Sequence, residues 1–243
     1  MSAIQAELIA ISRQLAADAD ALSFANSAAV HTIYNPLVYA RAPHEDYIQR
    51  HADAAARIVL VGMNPGPFGM AQTGVPFGDV ATVRDFLGVE QPVNAPPNMH
   101  PKRPVLGFAC PRGEVSGQRV WGWVAARYQR PENFFRHYWI ANYCPLVFMS
   151  QSGANLTPDK LARDDLRALE AVCDAALQNT VRALGASHLI GIGAFAGRRC
   201  AAVAPTLGAV AGQILHPSPA SPKANRGWAS QAEAELQQQG VLR

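Results

Sequence analysis

Asn64, Asn142 and His216 each stand where a run of strand-forming residues gives way to a loop, so one flat polar ligand could meet all three. Asn64 lies in the tract Gly62-Met63-Asn64-Pro65-Gly66-Pro67-Phe68-Gly69-Met70-Ala71-Gln72-Thr73-Gly74-Val75-Pro76-Phe77-Gly78, which packs five glycines and three prolines into seventeen residues. Such a loop is stiff and little obstructed by side chains, so its backbone N–H groups can approach a flat or anionic ligand closely. A plain strand-to-helix connection needs far fewer residues. Phe77 adds a stacking face. His216 precedes Pro217-Ser218-Pro219-Ala220-Ser221-Pro222, where three prolines in six residues hold the histidine on a stiff loop. The Asn142 amide offers one acceptor and two donors, the set that reads a pyrimidine carrying N3–H beside a C4 carbonyl and rejects the opposite pattern of cytosine. An asparagine bonding the backbone at a strand end fits the same position.

These residues need a frame that brings strand ends together. Four apolar segments read as strands: Ile58–Gly62, Tyr138–Tyr143, His188–Gly193 and Gln213–His216. Helical patterns fall around Val80–Leu87, Gly117–Arg127, Pro158–Leu184, Ala194–Val203 and Arg226–Gln239, and a stripe from Ile4 to Leu22 predicts a covering N-terminal helix. Thr157 and Pro158 look like an N-cap and first helical residue, and Asn155-Leu156-Thr157 reads as a helix start rather than a glycosylation site. Alternating strands and helices predict a three-layer α/β/α fold with a central four-stranded parallel sheet, as a single domain over residues 1–243. In a parallel sheet the three polar residues share the carboxyl edge, where open sheets bind ligands.

Other signals exclude as much as they suggest. Gly191-Ile192-Gly193-Ala194-Phe195-Ala196 fits the relaxed dinucleotide pattern, but residues 206–222 lack the acidic residue that would hold a ribose. A tight strand-to-helix turn accounts for those glycines. Cys110, Cys144, Cys173 and Cys200 have no zinc or CxxC spacing, so buried reduced thiols and no metal are expected. The uncharged stretch Cys200–Pro222 is broken by Pro205, Gly208, Gly212 and His216 and is not a membrane span. No signal peptide is visible, and a cytoplasmic protein is expected, near the nucleoid or in the nucleus according to its host. Residues 1–99 carry 5 basic and 9 acidic side chains, whereas residues 100–136 carry 7 basic against Glu114 and Glu132. A polyanion could settle on such a surface. Trp121, Trp123, Phe134, Phe135, Tyr138 and Trp139 read mainly as core.

The Gly62–Gly78 tract, Asn142-Tyr143-Cys144-Pro145-Leu146, and His216-Pro217-Ser218-Pro219 with Ala224-Asn225-Arg226-Gly227-Trp228 resemble the single-strand-selective monofunctional uracil-DNA glycosylases, from about Phe24 onward. The resemblance implies the superfamily's α/β/α fold and excision of uracil and C5-oxidised uracils such as 5-hydroxymethyluracil from single- and double-stranded DNA. It implies no metal or organic cofactor and a monomer acting on DNA. Asn64 would position the attacking water, and His216 would stabilise charge on the leaving base. Met63, Gly66, Pro67, Phe68, Gly69, Met70, Phe77 and Asn142 would bind the base, with the backbone of Gly66 to Met70 on its C5 side. Pro217, Ser218, Pro219, Ala220, Ser221, Pro222, Lys223 and Arg226 would meet the DNA. Family members often carry Arg where this chain has Ala220, so the identity of the stack-filling wedge is open. A non-catalytic single-strand or abasic-site binding protein is the rival reading, and a nucleotide-dependent oxidoreductase is a third.

Overall fold

The apolar runs build the sheet that the sequence predicts. The computed structural model describes residues 1–243. In chain order its helices are α1 (Ala3–Asp20), α2 (Pro36–Tyr39), α3 (Arg41–His51), α4 (Met70–Thr73), α5 (Val80–Asp85), α6 (Val115–Tyr128), α7 (Pro131–Phe135), α8 (Arg163–Leu184), α9 (Ala194–Val203) and α10 (Trp228–Gln238). The strands are β1 (Thr32–Tyr34), β2 (Ile58–Gly62), β3 (Tyr138–Asn142), β4 (Val147–Met149), β5 (Asn155–Leu156), β6 (His188–Ile192) and β7 (Val210–Ile214). Four of them form a parallel sheet in the order β3-β2-β6-β7. Every residue of β2 is buried, as a central parallel strand covered on both faces requires. Side chains of α1, α3, α6, α8, α9 and α10 join the sheet in one core, which makes the α/β/α layering. The six aromatics that read as core are all buried, with Phe134 stacked on Tyr138 at 4.9 Å between ring centroids.

The sheet's open edge is closed by side chains. The Gln239 amide donates to the Gln213 carbonyl and accepts from the Gln213 N–H, both at 3.0 Å, as a neighbouring strand would.

Several boundaries differ from the sequence reading. The fourth strand is Val210–Ile214 rather than Gln213–His216, because Ala211 and Gly212 hide its start and Ile214 is its last partner, paired with Ile192. His216 therefore lies two residues past the strand. The third helix begins at Arg163, not Pro158. Pro158–Lys160 is a single 3-10 turn, Thr157 makes no side-chain cap bond, and the chain is extended again at Leu161 and Ala162. Asp164 and Asp165 then supply negative charge to the first turn of α8. Asn155-Leu156 is strand β5, not a helix start, and pairs with β4 in a small antiparallel sheet, β1-β4-β5. The sequence does not signal that sheet, because β4 is three buried residues with no alternation. Cys144, Cys173 and Cys200 are buried, but Cys110 is only half-buried.

Candidate active site

The carboxyl ends of β2 and β3 lie side by side, with Gly62 opposite Asn142. Bonds from Tyr143 N–H to Gly62 O and from Cys144 N–H to Met63 O, both 2.9 Å, continue the pairing into the loops. The glycine at 62 is a spatial demand. A Cβ there would run into Asn142 Oδ1 and stand 2.7 Å from Phe77 Cε2, so only glycine lets the amide and the ring meet over the strand end. Phe77 itself has φ of +54°, a conformation rare for an aromatic residue and costing about 1–3 kcal/mol. The Asn142 amide donates only to the weak acceptor Met70 Sδ, at 3.2 Å, which leaves its stronger hydrogen-bonding capacity for a ligand. Asn64 Nδ2 makes two long contacts, 3.4 Å each, to the carbonyls of Pro65 and Leu146.

His216 reaches this group from β7. Its neighbour Leu215 is pinned at both backbone groups: the carbonyl accepts from Trp228 Nε1 at 2.7 Å, and the N–H donates to Glu235 Oε2 at 2.6 Å. Gly193, at the end of β6, has φ of +92°, and a Cβ on it would stand 2.9 Å from His216 Cβ. Burial pushes the His216 imidazole below its usual 6.5, so it is neutral at physiological pH.

Met63, Asn64, Gly66, Pro67, Met70, Phe77, Asn142, His216, Ser218 and Pro219 line one cleft of about 350 Å³, a volume suited to a small ligand. Met70 opens α4, so the long glycine tract is not all loop. Phe68 and Gly69, expected at the base, do not line the cleft. The Phe68 ring lies beneath the Arg112 guanidinium, 3.9 Å from its centroid, and Gly69 packs against the Glu114 side chain. Pro217, expected on the DNA side, is buried. Its carbonyl holds the loop instead. Ala220, Pro222, Lys223 and Arg226 are exposed, while Ser221 is half-buried and its Oγ accepts the Ala224 N–H at 3.3 Å.

Four further residues line the cleft without having been foreseen: Glu114, Ser116, Asn155 and Thr157. Glu114 and Ser116 belong to the start of α6, which ties the site loops together. The Asp79 carboxylate accepts from Glu114 N–H at 2.8 Å and Gln118 Nε2 at 3.1 Å, and Trp121 Nε1 donates to Pro76 O at 3.2 Å. From the same helix, Arg119 donates to the carbonyls of Pro217 at 3.0 Å and Ser218 at 3.2 Å, and to Asn225 Oδ1 at 2.8 Å. Asn225 in turn donates to Pro219 O at 3.0 Å, closing the loop on itself. Glu114 has its pKa raised, chiefly by burial and also by Asp79, against the backbone N–H groups of Ser116 and Phe68. The one sequence signal for Glu114 was its place as an acid among bases. Lys102, Arg103, Arg112, Arg119, Lys223 and Arg226 take part in no ion pair, so their charge is free for a polyanion.

A parallel sheet with an amide, a stacking ring and a neutral imidazole at its carboxyl edge suits recognition and cleavage around a planar base. Residues 49–237 match the family model described as "Uracil DNA glycosylase superfamily". The chain is 48% identical over 217 residues to the single-strand selective monofunctional uracil DNA glycosylase of Mus musculus, covering 88% of this chain and 77% of the relative. The Bos taurus protein of the same name is 47% identical over 215 residues, covering 88% and 79%. This chain belongs to the family of single-strand-selective monofunctional uracil-DNA glycosylases. Its fold is that of the crystal structure of wild-type Pedobacter heparinus SMUG2, with a TM-score of 0.65 at 15% identity over 95% of this chain and 97% of the other.

Proposed function

We propose that this chain hydrolyses the N-glycosidic bond of uracil in DNA, leaves an abasic site, and so opens base excision repair. The observation that carries the reading is the meeting of Asn64, Phe77, Asn142 and a neutral His216 in one cleft. Extruded from the stack, the base lies against Phe77, and the Asn142 amide pairs with its N3–H and C4 carbonyl. As the bond from C1′ to N1 breaks, its electron pair passes to the base and positive charge grows on the sugar. The His216 imidazole, donating an N–H toward O2, stabilises the anion where it develops. A sugar so electron-poor needs little help from its nucleophile, so the weakly basic Asn64 amide suffices to orient the water that attacks C1′. A lyase step would need a poised amine. The chain has three lysines, Lys102, Lys160 and Lys223, and none of them lines the cleft.

The substrate range includes uracils oxidised at C5, such as 5-hydroxymethyluracil. Gly66, Pro67 and Met70 line the cleft where they would meet a small polar substituent on C5. Both single- and double-stranded DNA are substrates in this reading, and a monomer suffices for the chemistry. The test is incubation with a uracil-containing oligonucleotide followed by alkali. Strand cleavage is expected, and Asn64→Ala and His216→Ala should each slow single-turnover excision by roughly 10²-fold or more. A protein that binds without cutting leaves no abasic site, and wild-type rates in both variants would remove the assignment.

A further inference from the structure

Phe68 sits between Pro67 and Met70, which line the cleft, but does not line it itself. Two guanidiniums stand over that ring, Arg112 at 3.9 Å and Arg103 at 5.5 Å from its centroid. A cation over an aromatic face is held in place, and its donors stay available at the edges. Neither arginine has a carboxylate partner. Glu114, two residues from Arg112, is turned against Gly66 and Gly69 instead. Arg103 spends Nη1 on the Lys102 carbonyl at 2.8 Å, while its Nε is buried with no partner at all. Two like charges gathered on one ring repel, and an unpaired buried N–H is costly, so an anion beside them would be stabilised. A planar guanidinium fork matches two oxygens of a phosphate.

We propose that Arg103 and Arg112, mounted on the Phe68 ring, form a phosphate-binding site for the DNA strand beside the base cleft. The ligand is a backbone phosphodiester, and the assignment builds on the reading of the chain as a DNA glycosylase. Because the ring belongs to the loop that lines the cleft, a phosphate held there braces the segment from Pro67 to Met70. Grip on the strand and fit around the base then depend on the same few residues.

The test is fluorescence-anisotropy binding of a single-stranded oligonucleotide bearing a tetrahydrofuran abasic analogue, measured across a salt series. For single strands the slope of log K against log salt falls by about 0.7 for each phosphate contact removed. Arg112→Ala and Arg103→Gln should each lower the slope by about that amount and weaken binding about fivefold at 0.1 M salt, relative to 1 M. Arg103→Gln keeps a donor for the Lys102 carbonyl and so guards the local fold. Phe68→Leu, which removes the mount and keeps apolar bulk, should also lower the slope. Arg13→Ala, which removes a cation paired with Glu45, should not change it. Wild-type slopes in Arg112→Ala and Arg103→Gln would overturn the site, as would weaker binding at an unchanged slope. Uracil excision by the wild-type protein, assayed in parallel, decides the glycosylase reading separately.

Discussion

Replacing Gly193 with alanine should slow base excision through a residue that the substitution does not touch chemically. Gly193 has φ of +92° and ψ of 166°, a region almost confined to glycine, and forcing alanine into it costs about 1–3 kcal/mol. The new Cβ would stand 2.9 Å from His216 Cβ and 3.1 Å from Cδ2, against the 3.4 Å at which ordinary contact begins. The imidazole must therefore retreat by about half an ångström. A misplacement of about 1 Å can cost roughly 10²-fold in rate, so half of it corresponds to about tenfold. The assay is single-turnover excision from a uracil oligonucleotide at saturating protein, at a temperature where all variants are folded. Gly208→Ala is the control: its φ is +65° but nothing lies within 4 Å, so it should lose stability and keep its rate. Gly193→Ala added to His216→Ala should cost little further rate, because the group it displaces is already gone. A rate within twofold of wild type for Gly193→Ala, or a full tenfold loss in the His216→Ala background, would refute the reasoning.

Other consequences follow from the same geometry. Arg119→Ala removes three donors to the His216 loop and should lower single-turnover excision about tenfold, with Arg119→Lys recovering part because an ammonium cannot span all three acceptors. An unchanged rate in Arg119→Ala would mean that the loop holds itself. Burial depresses the His216 pKa, so its neutral, donating form persists below pH 6.5, and the acid limb of kcat/KM should lie below that value. Stability has the matching sign: the unfolded chain binds the proton more readily, so His216 destabilises the fold as pH falls through 6.5, and a limb centred above 6.5 would contradict this. Lys223→Ala should slow excision from duplex more than from single strand, and Ala220→Arg should improve duplex excision selectively, since only a duplex has a gap to fill. Equal effects on both substrates would show that the exposed loop contributes charge and no wedge.

What the sequence made legible was whatever short-range pattern could carry. The run Ile58–Gly62 announced a central strand because a parallel strand buried on both faces is apolar throughout. The glycines and prolines around Asn64 and the prolines after His216 marked stiff loops for similarly local reasons. The arginines over the Phe68 ring could not be read from the sequence, because Arg103 and Arg112 lie some forty residues away from it. Arg119 carried no sequence signal as a site residue and Glu114 only its place as an acid among bases, since their partners lie in the distant segments 217–225 and 66–69. The strand Val210–Ile214 was displaced because Ala and Gly carry little strand signal, and its register is fixed by β6 rather than by its own side chains.

The dinucleotide-like glycines gain a reason once the sheet order is considered. The cleft draws Asn142 from the end of β3 and Asn64 from just beyond β2, while His216 follows β7. In the order β3-β2-β6-β7, the strand β6 stands between the asparagines and the histidine. Adjacent strands are about 4.8 Å apart, so β7 is about 9.6 Å from β2, too far for side chains rising straight from both ends to grip one small ring. His216 must therefore lean across the end of β6. Any Cβ on Gly193 blocks that path, and Gly193 has none. Trp228 and Glu235 fix Leu215, and Arg119 holds the loop that follows His216. The glycine that imitates a cofactor motif is what allows a histidine from the sheet's edge to reach the cleft at its centre.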